Sequence, residues 1–158
     1  MKRYPVITKN ASETQALGAQ LAKFLKPGNV IGFEGPLGAG KTTFIQGLCA
    51  ALGVEEKVVS PTFVLMHVYD GKLPIYHFDL YRLEPKDFQD LGWDDYLGGR
   101  GISLVEWVDR SGRNFPYPHL LITLEYGETP DTRKIEFKPQ KIEYPWLAEF
   151  LNHWDKKK

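Results

Sequence analysis

Residues 35–42 form a glycine-rich segment, GPLGAGKT, that satisfies the pattern G-x-x-x-x-G-K-[ST] without a gap. The apolar run VIGFE precedes it, and TTFIQGLCAAL follows it with helical spacing and ends before Gly53, a suitable helix C-terminal cap. A strand, a glycine-rich loop and a helix in this order predict an α/β fold organised around the loop.

The composition of this loop suits it to hold phosphate. Glycines let the backbone approach a ligand closely, successive amides form an anion nest, and the next helix adds its partial positive charge. Lys41 adds a full charge, and the Thr42 hydroxyl is a suitable Mg²⁺ ligand. The alternative is a glycine-rich turn with a surface lysine, and the strand–helix context favours a nucleotide site. Its predicted residues are Gly35, Leu37, Gly38, Ala39, Gly40, Lys41, Thr42 and Thr43.

Length and charge limit the other possibilities. The 158 residues predict one domain, with a helical tail from about residue 142. Lys plus Arg and Asp plus Glu are both 20, so no net charge draws the chain onto nucleic acid or a membrane. Any RNA contact would be local or would run through a partner. The lone Cys49 and the lack of a signal-like apolar run at the start predict a cytoplasmic protein.

The remaining chain alternates helical and strand patterns. Asn10 and Ser12 resemble overlapping capping boxes that open a helix over residues 12–25. Two β-rich runs meet at Asp70-Gly71, and a second pair flanks ETPDT, so two hairpins are predicted. EPKDFQDLGWDDYL is typical of short helical turns. The predicted class is α/β, a P-loop NTPase-like sheet with helices on both faces and antiparallel hairpin additions.

Two carboxylates are candidates for the second half of a magnesium site. Glu106 ends the apolar strand ISLVE, and Asp79 lies in YHFDLYR, where alternation places His77 and Asp79 on one face. Glu106 would otherwise face water, and Asp79 would otherwise pair with Arg82 or another base. His77 is interpreted as a packing residue or a hydrogen-bond partner of Asp79.

A polar loop, SPTF, leads into the first hairpin. Ser60 and Thr62 are candidates to sense a γ-phosphate or its attacking water, as switch loops do. In isolation the same residues indicate only a turn before a strand.

The motifs GPLGAGKTTF, SPTF, HFDLYRL and VEW, in this order, resemble the TsaE family, also called YjeE, over roughly residues 10–137. The resemblance implies a bacterial P-loop ATPase that uses ATP and Mg²⁺. It also implies a role in forming N6-threonylcarbamoyladenosine at position 37 of tRNAs that read ANN codons. The implied partners are TsaB and TsaD, which act after a TsaC-type enzyme makes threonylcarbamoyl-AMP, with tRNA contacted only through the complex. Pro36 departs from the acidic residue frequent in the family.

The resemblance also implies roles for individual residues. Residues 38–43 would bind the phosphates, and Thr42 and Glu106 would hold Mg²⁺, directly or through water. Asp79 would position the metal or the attacking water, which makes Lys41, Asp79 and Glu106 the expected catalytic residues. Further implied roles are a switch loop at Ser60, Pro61 and Thr62, a position close to the nucleotide for Trp107, and a position bordering the base for Asn10 and Arg133.

Two other functions compete with this one. A small-molecule kinase would need a lid with arginines, for which Arg100, Arg110 and Arg113 are candidates, although solvated surface is the simpler interpretation. A binding module would use the nucleotide only to control partner affinity. With no arginine evidently placed as an internal finger, slow intrinsic hydrolysis is expected. In the C-terminal tail, one helical face carries the apolar residues Trp146, Leu147, Phe150, Leu151 and Trp154. The two interpretations of this stripe are that it packs on the protein's own sheet or that it binds a partner.

Overall fold

The computed structural model describes residues 5–61, 65–84, 87, 92, 95–110, 115 and 117–156. Within these residues the strands are β1 (Val6–Thr8), β2 (Val30–Glu34), β3 (Met66–Asp70), β4 (Pro74–Asp79), β5 (Ile102–Glu106), β6 (His119–Tyr126) and β7 (Arg133–Gln140). The helices are α1 (Ala11–Ala22), α2 (Lys41–Ala51) and α3 (Leu147–Lys156). No helix in this part of the chain is long and apolar enough to cross a membrane.

All seven strands form one sheet in the order β1-β7-β6-β2-β5-β4-β3. The central strands β6, β2, β5 and β4 are parallel neighbours, and β3–β4, β6–β7 and β1–β7 pair in antiparallel fashion. Strand β5 is buried along its whole length, as the apolar run predicts for a central parallel strand. The α/β class and both hairpins are confirmed. Strand β1 was not predicted, because three residues are too few to show an alternating pattern.

The three described helices pack on the same face of the sheet. Their apolar residues form one cluster with the inward side chains of the strands, such as Phe33, Leu104 and Phe137. A second cluster on the opposite face contains Val30, Phe78, Val105 and residues from the segments around β5. Helices were expected on both faces, and among the described residues no α-helix lies on this second face. Much of the connection from β4 to β5, including most of EPKDFQDLGWDDYL, lies outside the described residues.

Helix α1 begins at the predicted cap and packs closely on α2. The Asn10 side chain accepts from the Glu13 amide at 2.9 Å, and Glu13 accepts in return from the Lys9 amide at 2.9 Å. A Cβ on Gly47 would lie 2.0 Å from the Gln15 carbonyl oxygen, so the two backbones approach to a distance that only glycine permits. This contact sets the close spacing between α1 and α2.

The C-terminal stripe is part of the core. Phe150, Leu151 and Trp154 are buried, and the Phe150 ring lies 5.3 Å from that of Phe137 on β7. Trp146 stacks on Phe24 at 5.6 Å. The interpretation that this stripe packs on its own sheet is therefore confirmed.

Candidate nucleotide-binding site

Three parallel strands end at the same edge of the sheet and bring the predicted site residues together. The glycine-rich loop follows β2, Glu106 ends β5 and Asp79 ends β4, with Asp79 and Glu106 in register. Ligands bind at this edge in open α/β sheets. An open cleft of about 330 Å³ lies there, lined by Leu37, Gly38, Gly40, Lys41, Thr42, Thr43, Ser60, Asp79, Tyr81, Glu106 and Trp107.

The glycine-rich loop takes a backbone path that other residues would resist. Gly38 and Gly40 have φ values of 78° and 103°. A Cβ on Gly35 would lie 2.3 Å from the Leu124 carbonyl oxygen, so the loop can pass β6 only as glycine. Gly40 caps α2 without a side chain, which leaves the first amides of the helix without an internal acceptor. These amides and the helix dipole make the end of the loop an anion site.

The Lys41 side chain bends back into the glycine-rich loop. Its side chain is buried, and Nζ donates to the carbonyl oxygens of Gly35 at 2.5 Å and Pro36 at 3.0 Å. Burial lowers the pKa of Lys41, and the carboxylates of Glu106, Asp109 and Asp79 act in the opposite direction. The ammonium group is therefore a poorly hydrated charge at the cleft, placed to exchange carbonyl oxygens for phosphate oxygens.

Glu106 connects the first turn of α2 to the sheet interior. The Thr42 hydroxyl donates to Glu106 Oε1 at 3.0 Å, and His77 Nε2 lies 2.6 Å from Glu106 Oε2. Glu106 is 2% exposed and His77 is fully buried, so the alternative that Glu106 faces water is wrong. The proposed bond from His77 to Asp79 is also wrong, because His77 Nε2 contacts Glu106 Oε2 instead, two positions beyond its cross-strand neighbour Leu104.

Asp79 links the cleft to the predicted switch segment. It is 3% exposed, accepts from the Tyr81 amide at 2.9 Å, and accepts a second hydrogen bond from the Ser60 hydroxyl. The Pro61 carbonyl oxygen accepts from the Leu65 amide at 2.7 Å. Thr62 lies outside the described residues. Ser60 therefore reaches the site, while the wider switch role stays a prediction.

The oxygen atoms at the cleft fit a magnesium ion. Thr42 Oγ1 and Glu106 Oε1 lie within 3.0 Å of each other, and the Asp79 carboxylate lines the same cleft. Within the described residues no group of three or more His, Cys, Asp or Glu side chains is arranged to hold a metal ion without other ligands. Mg²⁺ prefers a few protein oxygens completed by water and substrate phosphates, which matches this sparse set.

Trp107 takes a left-handed conformation with φ of 59°, which is unusual for an aromatic residue. Consecutive strand residues normally face opposite sides, yet Glu106 and Trp107 both line the cleft. The indole lies 3.9 Å from Lys41 Nζ and 4.8 Å from the Tyr81 ring. Tyr81 was not assigned a role from sequence, although it lies inside the motif HFDLYRL. Arg110, considered for a kinase lid, is exposed and lies over the Tyr81 ring at 5.2 Å.

The two residues expected to border the base have other contacts here. Asn10 is exposed and caps α1. The methyl group of Thr14 on the same helix lies near the phosphate loop, 3.8 Å from the position that a Cβ on Gly40 would take. Arg133 donates to the carbonyl oxygens of Gly38 and Ala39 on the outer side of the loop. Tyr126 joins it there and was missed from sequence, because no motif marks a contact between residues so far apart in the chain.

Comparison with known proteins agrees with this arrangement. The family model described as threonylcarbamoyl adenosine biosynthesis protein TsaE matches residues 8–135. The chain belongs to the TsaE family. The matched range contains every element from α1 to β6, and hence the whole cleft.

Individual TsaE proteins match over most of their length. The tRNA threonylcarbamoyladenosine biosynthesis protein TsaE of Bacillus subtilis is 42% identical over 156 residues, 98% of each chain. Its counterpart in a Nostoc species is 40% identical over 139 residues, 85% of each chain. The crystal structure of Bacillus subtilis YdiB superposes with a TM-score of 0.79 at 34% identity, covering 99% of this chain and 96% of that one. The two Bacillus subtilis alignments cover 98% and 99% of this chain, so they extend into the C-terminal helix that the family model leaves out.

Proposed function

We propose that this TsaE-family chain is a magnesium-dependent ATP-binding and ATP-hydrolysing subunit. Its task would be to support formation of threonylcarbamoyladenosine at position 37 of tRNAs that read ANN codons, in the cytoplasm, together with TsaB and TsaD. The observation that carries the proposal is the convergence of the glycine-rich loop, the Thr42–Glu106 pair and Asp79 at one cleft. Family membership supplies the connection to tRNA modification.

The loop and α2 would hold the phosphate chain. The amides of Gly38, Gly40 and the first turn of α2 are the donors, and the Lys41 ammonium balances the charge of the outer phosphates. To do so, Lys41 would release the carbonyl oxygens of Gly35 and Pro36. The Trp107 ring lies beside Nζ, so the surroundings of the indole would change when Lys41 moves, and a tryptophan signal would report nucleotide binding.

Thr42 and Glu106 would hold the magnesium ion, which would supply positive charge to offset the negative charge that develops on the phosphate oxygens. His77 keeps one Glu106 oxygen bonded, so the other stays directed at Thr42. Asp79 lines the cleft beside them and would orient the attacking water or a metal-bound water. Ser60 is hydrogen-bonded to Asp79. Through this bond, binding of the terminal phosphate would change the position of the loop that contains Ser60.

Slow turnover by the isolated chain follows from the lining of the cleft. Among the described residues that line it, Lys41 is the one cation. An arginine finger adds about 10³- to 10⁵-fold in related phosphoryl-transfer sites. We therefore expect a partner to complete the site, which gives the TsaB–TsaD complex a direct means of controlling hydrolysis.

The test compares phosphate release from ATP by the chain alone and with TsaB, TsaD and tRNA added. The proposal expects slow release alone and a clear increase with partners, both abolished by Lys41→Ala. Release that strictly requires a small-molecule acceptor would instead support a kinase. Nucleotide binding with no release under any of these conditions would leave a binding module as the better description.

A further inference from the structure

We propose that Tyr126 and Arg133 form a hairpin clamp, a pair of positioning residues that hold the phosphate loop from outside in the form that binds phosphate. The inference rests on the proposed nucleotide site but assigns these residues a role distinct from nucleotide contact. The clamp acts on three consecutive carbonyl groups, those of Leu37, Gly38 and Ala39.

The two side chains come from one register pair of the β6–β7 hairpin. Tyr126 and Arg133 are directly opposite each other, and the guanidinium lies 4.7 Å from the centre of the Tyr126 ring. The Tyr126 hydroxyl donates to the Leu37 carbonyl oxygen. Arg133 Nη2 donates to Gly38 at 3.2 Å, and Nε donates to Ala39 at 3.1 Å. Each carbonyl in this stretch of the loop therefore has a partner on the hairpin.

The guanidinium is itself fixed by the hairpin turn. Nη1 donates to the carbonyl oxygens of Pro130 at 2.7 Å and Thr132 at 2.8 Å. The turn is closed by Thr132 N–H on the Thr129 carbonyl oxygen and Gly127 N–H on the Thr132 carbonyl oxygen. Four bonds in a planar fork set the direction of the side chain, which a lysine with one ammonium group cannot reproduce.

Because of peptide geometry, hydrogen bonds that hold the loop carbonyls on the hairpin side direct loop amides toward the cleft. In a planar trans peptide the carbonyl and the N–H of the next residue point in opposite directions. Holding the carbonyls of Leu37 and Ala39 against the hairpin therefore turns the amides of Gly38 and Gly40 away from it, and both glycines line the cleft. The Ala39 amide instead donates to the Pro36 carbonyl oxygen at 3.1 Å and braces the turn. The clamp thus prepares the nest before phosphate arrives.

This role differs in a measurable way from a role at the base. A residue that contacts the base affects ATP but not a ligand made of phosphate alone. A residue that shapes the loop affects both equally, because both depend on the same amides. Inorganic tripolyphosphate with Mg²⁺ is therefore the discriminating probe.

The experiment is calorimetric titration of the full chain with Mg-ATP and with Mg-tripolyphosphate. Arg133→Lys keeps the charge and loses the fork, and Tyr126→Phe loses only the hydroxyl. Lys134→Gln is the control, since its side chain is on the same strand and faces the other side of the sheet. We expect Arg133→Lys to weaken both ligands about tenfold and Tyr126→Phe about two- to threefold, with the control unchanged. Equal affinities in Arg133→Lys and wild type, or a loss confined to ATP, would overturn the clamp.

Hydrogen exchange of the ligand-free chain gives a second measurement that needs no nucleotide. The clamp predicts faster exchange at the two hydrogen-bonded amides of this stretch, Ala39 to the Pro36 carbonyl and Phe44 to the Gly40 carbonyl, in Arg133→Lys than in wild type or Lys134→Gln, with unchanged protection in β2 and β5. Equal exchange in all three would count against it. If wild type bound neither probe, the proposed function would fail, while the exchange data would still decide the clamp.

Discussion

We expect the Mg²⁺ dependence of ATP binding to be set mainly by Thr42. Its hydroxyl lies 3.0 Å from Glu106 Oε1 in the first turn of α2 and would be a ligand of the proposed ion. We expect Thr42→Ala to raise the Mg²⁺ concentration needed for half-maximal ATP binding by about tenfold, the size typical of a weakened metal site. Thr42→Ser keeps the hydroxyl and is the matched control. Titrations of ATP at fixed steps of Mg²⁺ measure the shift, and an unchanged requirement in Thr42→Ala would contradict the assignment.

His77 should matter to stability because it is the buried partner of a buried carboxylate. Its removal leaves Glu106 Oε2 without the 2.6 Å contact in a site with almost no access to water. Breaking such a pair typically costs about 3 kcal/mol. We expect His77→Ala to lower the free energy of unfolding in urea by about that amount.

The matched control for His77 is its cross-strand neighbour. His67 lies opposite His77 in the β3–β4 register and is only partly buried. His67→Ala should cost less than about 1 kcal/mol, as for most partly exposed positions. Similar losses in the two variants would mean that the His77–Glu106 contact contributes little.

At the level of elements, Gly47 sets how closely α1 and α2 approach. Glycine to alanine inside an exposed helix usually stabilises by about 1 kcal/mol. Here the new Cβ would lie 2.0 Å from the Gln15 carbonyl oxygen, so the helices must separate. We expect Gly47→Ala to destabilise the fold by about 1–3 kcal/mol, the usual range for overpacking. Gly99→Ala, where the nearest atom would lie 3.4 Å away, should change stability little, and chemical denaturation compares the two.

The ends of β2 and β5 also create a pH-sensitive contact on the other side of the phosphate loop. Glu34 and Asp109 line a second cleft there, together with Lys138. Burial and the nearby Asp109 charge raise the pKa of Glu34 above 4.5, and Lys138 opposes the shift. A raised pKa contributes stability that is fully present below 4.5 and is lost as the pH rises through the folded-state value.

It follows that Glu34→Gln should melt at a higher temperature than wild type near pH 7, because the amide carries no charge to bury. The difference should shrink as the pH falls below 4.5, where wild-type Glu34 is also neutral. Glu125→Gln, at an exposed position of the same cleft, controls for the change of carboxylate to amide. A difference between Glu34→Gln and wild type that stays constant across this pH range would contradict the explanation.

At the scale of the whole molecule, the sequence predicts what depends on local pattern. The glycine-rich loop, the strand that ends on Glu106 and both hairpins have short-range signals, and they are present as expected. The contacts that depend on strand order were not predicted. The bond from His77 to Glu106 needs the β4–β5 register, and the clamp needs the β6–β7 hairpin, itself predicted, to lie beside β2. Neither arrangement leaves a mark in the residues themselves.

The helix α3 closes the core by joining parts that are distant in sequence. Phe150 is fully buried and lies against Phe24 after α1, at 5.8 Å, and against Phe137 on β7. Phenylalanine to alanine in such a site costs about 3–5 kcal/mol through lost burial and the remaining cavity. We expect Phe150→Ala to lower the free energy of unfolding by about that amount. The exposed neighbour Asn152→Ala should have almost no effect.

The same variant separates packing from partner binding. The Phe150 side chain faces the core and is not among the residues that line the nucleotide cleft, so the folded fraction of Phe150→Ala should bind ATP with wild-type affinity. Titration well below the melting temperature measures this, with circular dichroism giving the folded fraction. Wild-type stability combined with weakened TsaB–TsaD binding would show that the stripe serves a partner after all. A loss of stability with normal ATP affinity would mean that α3 supports the site only by completing the core.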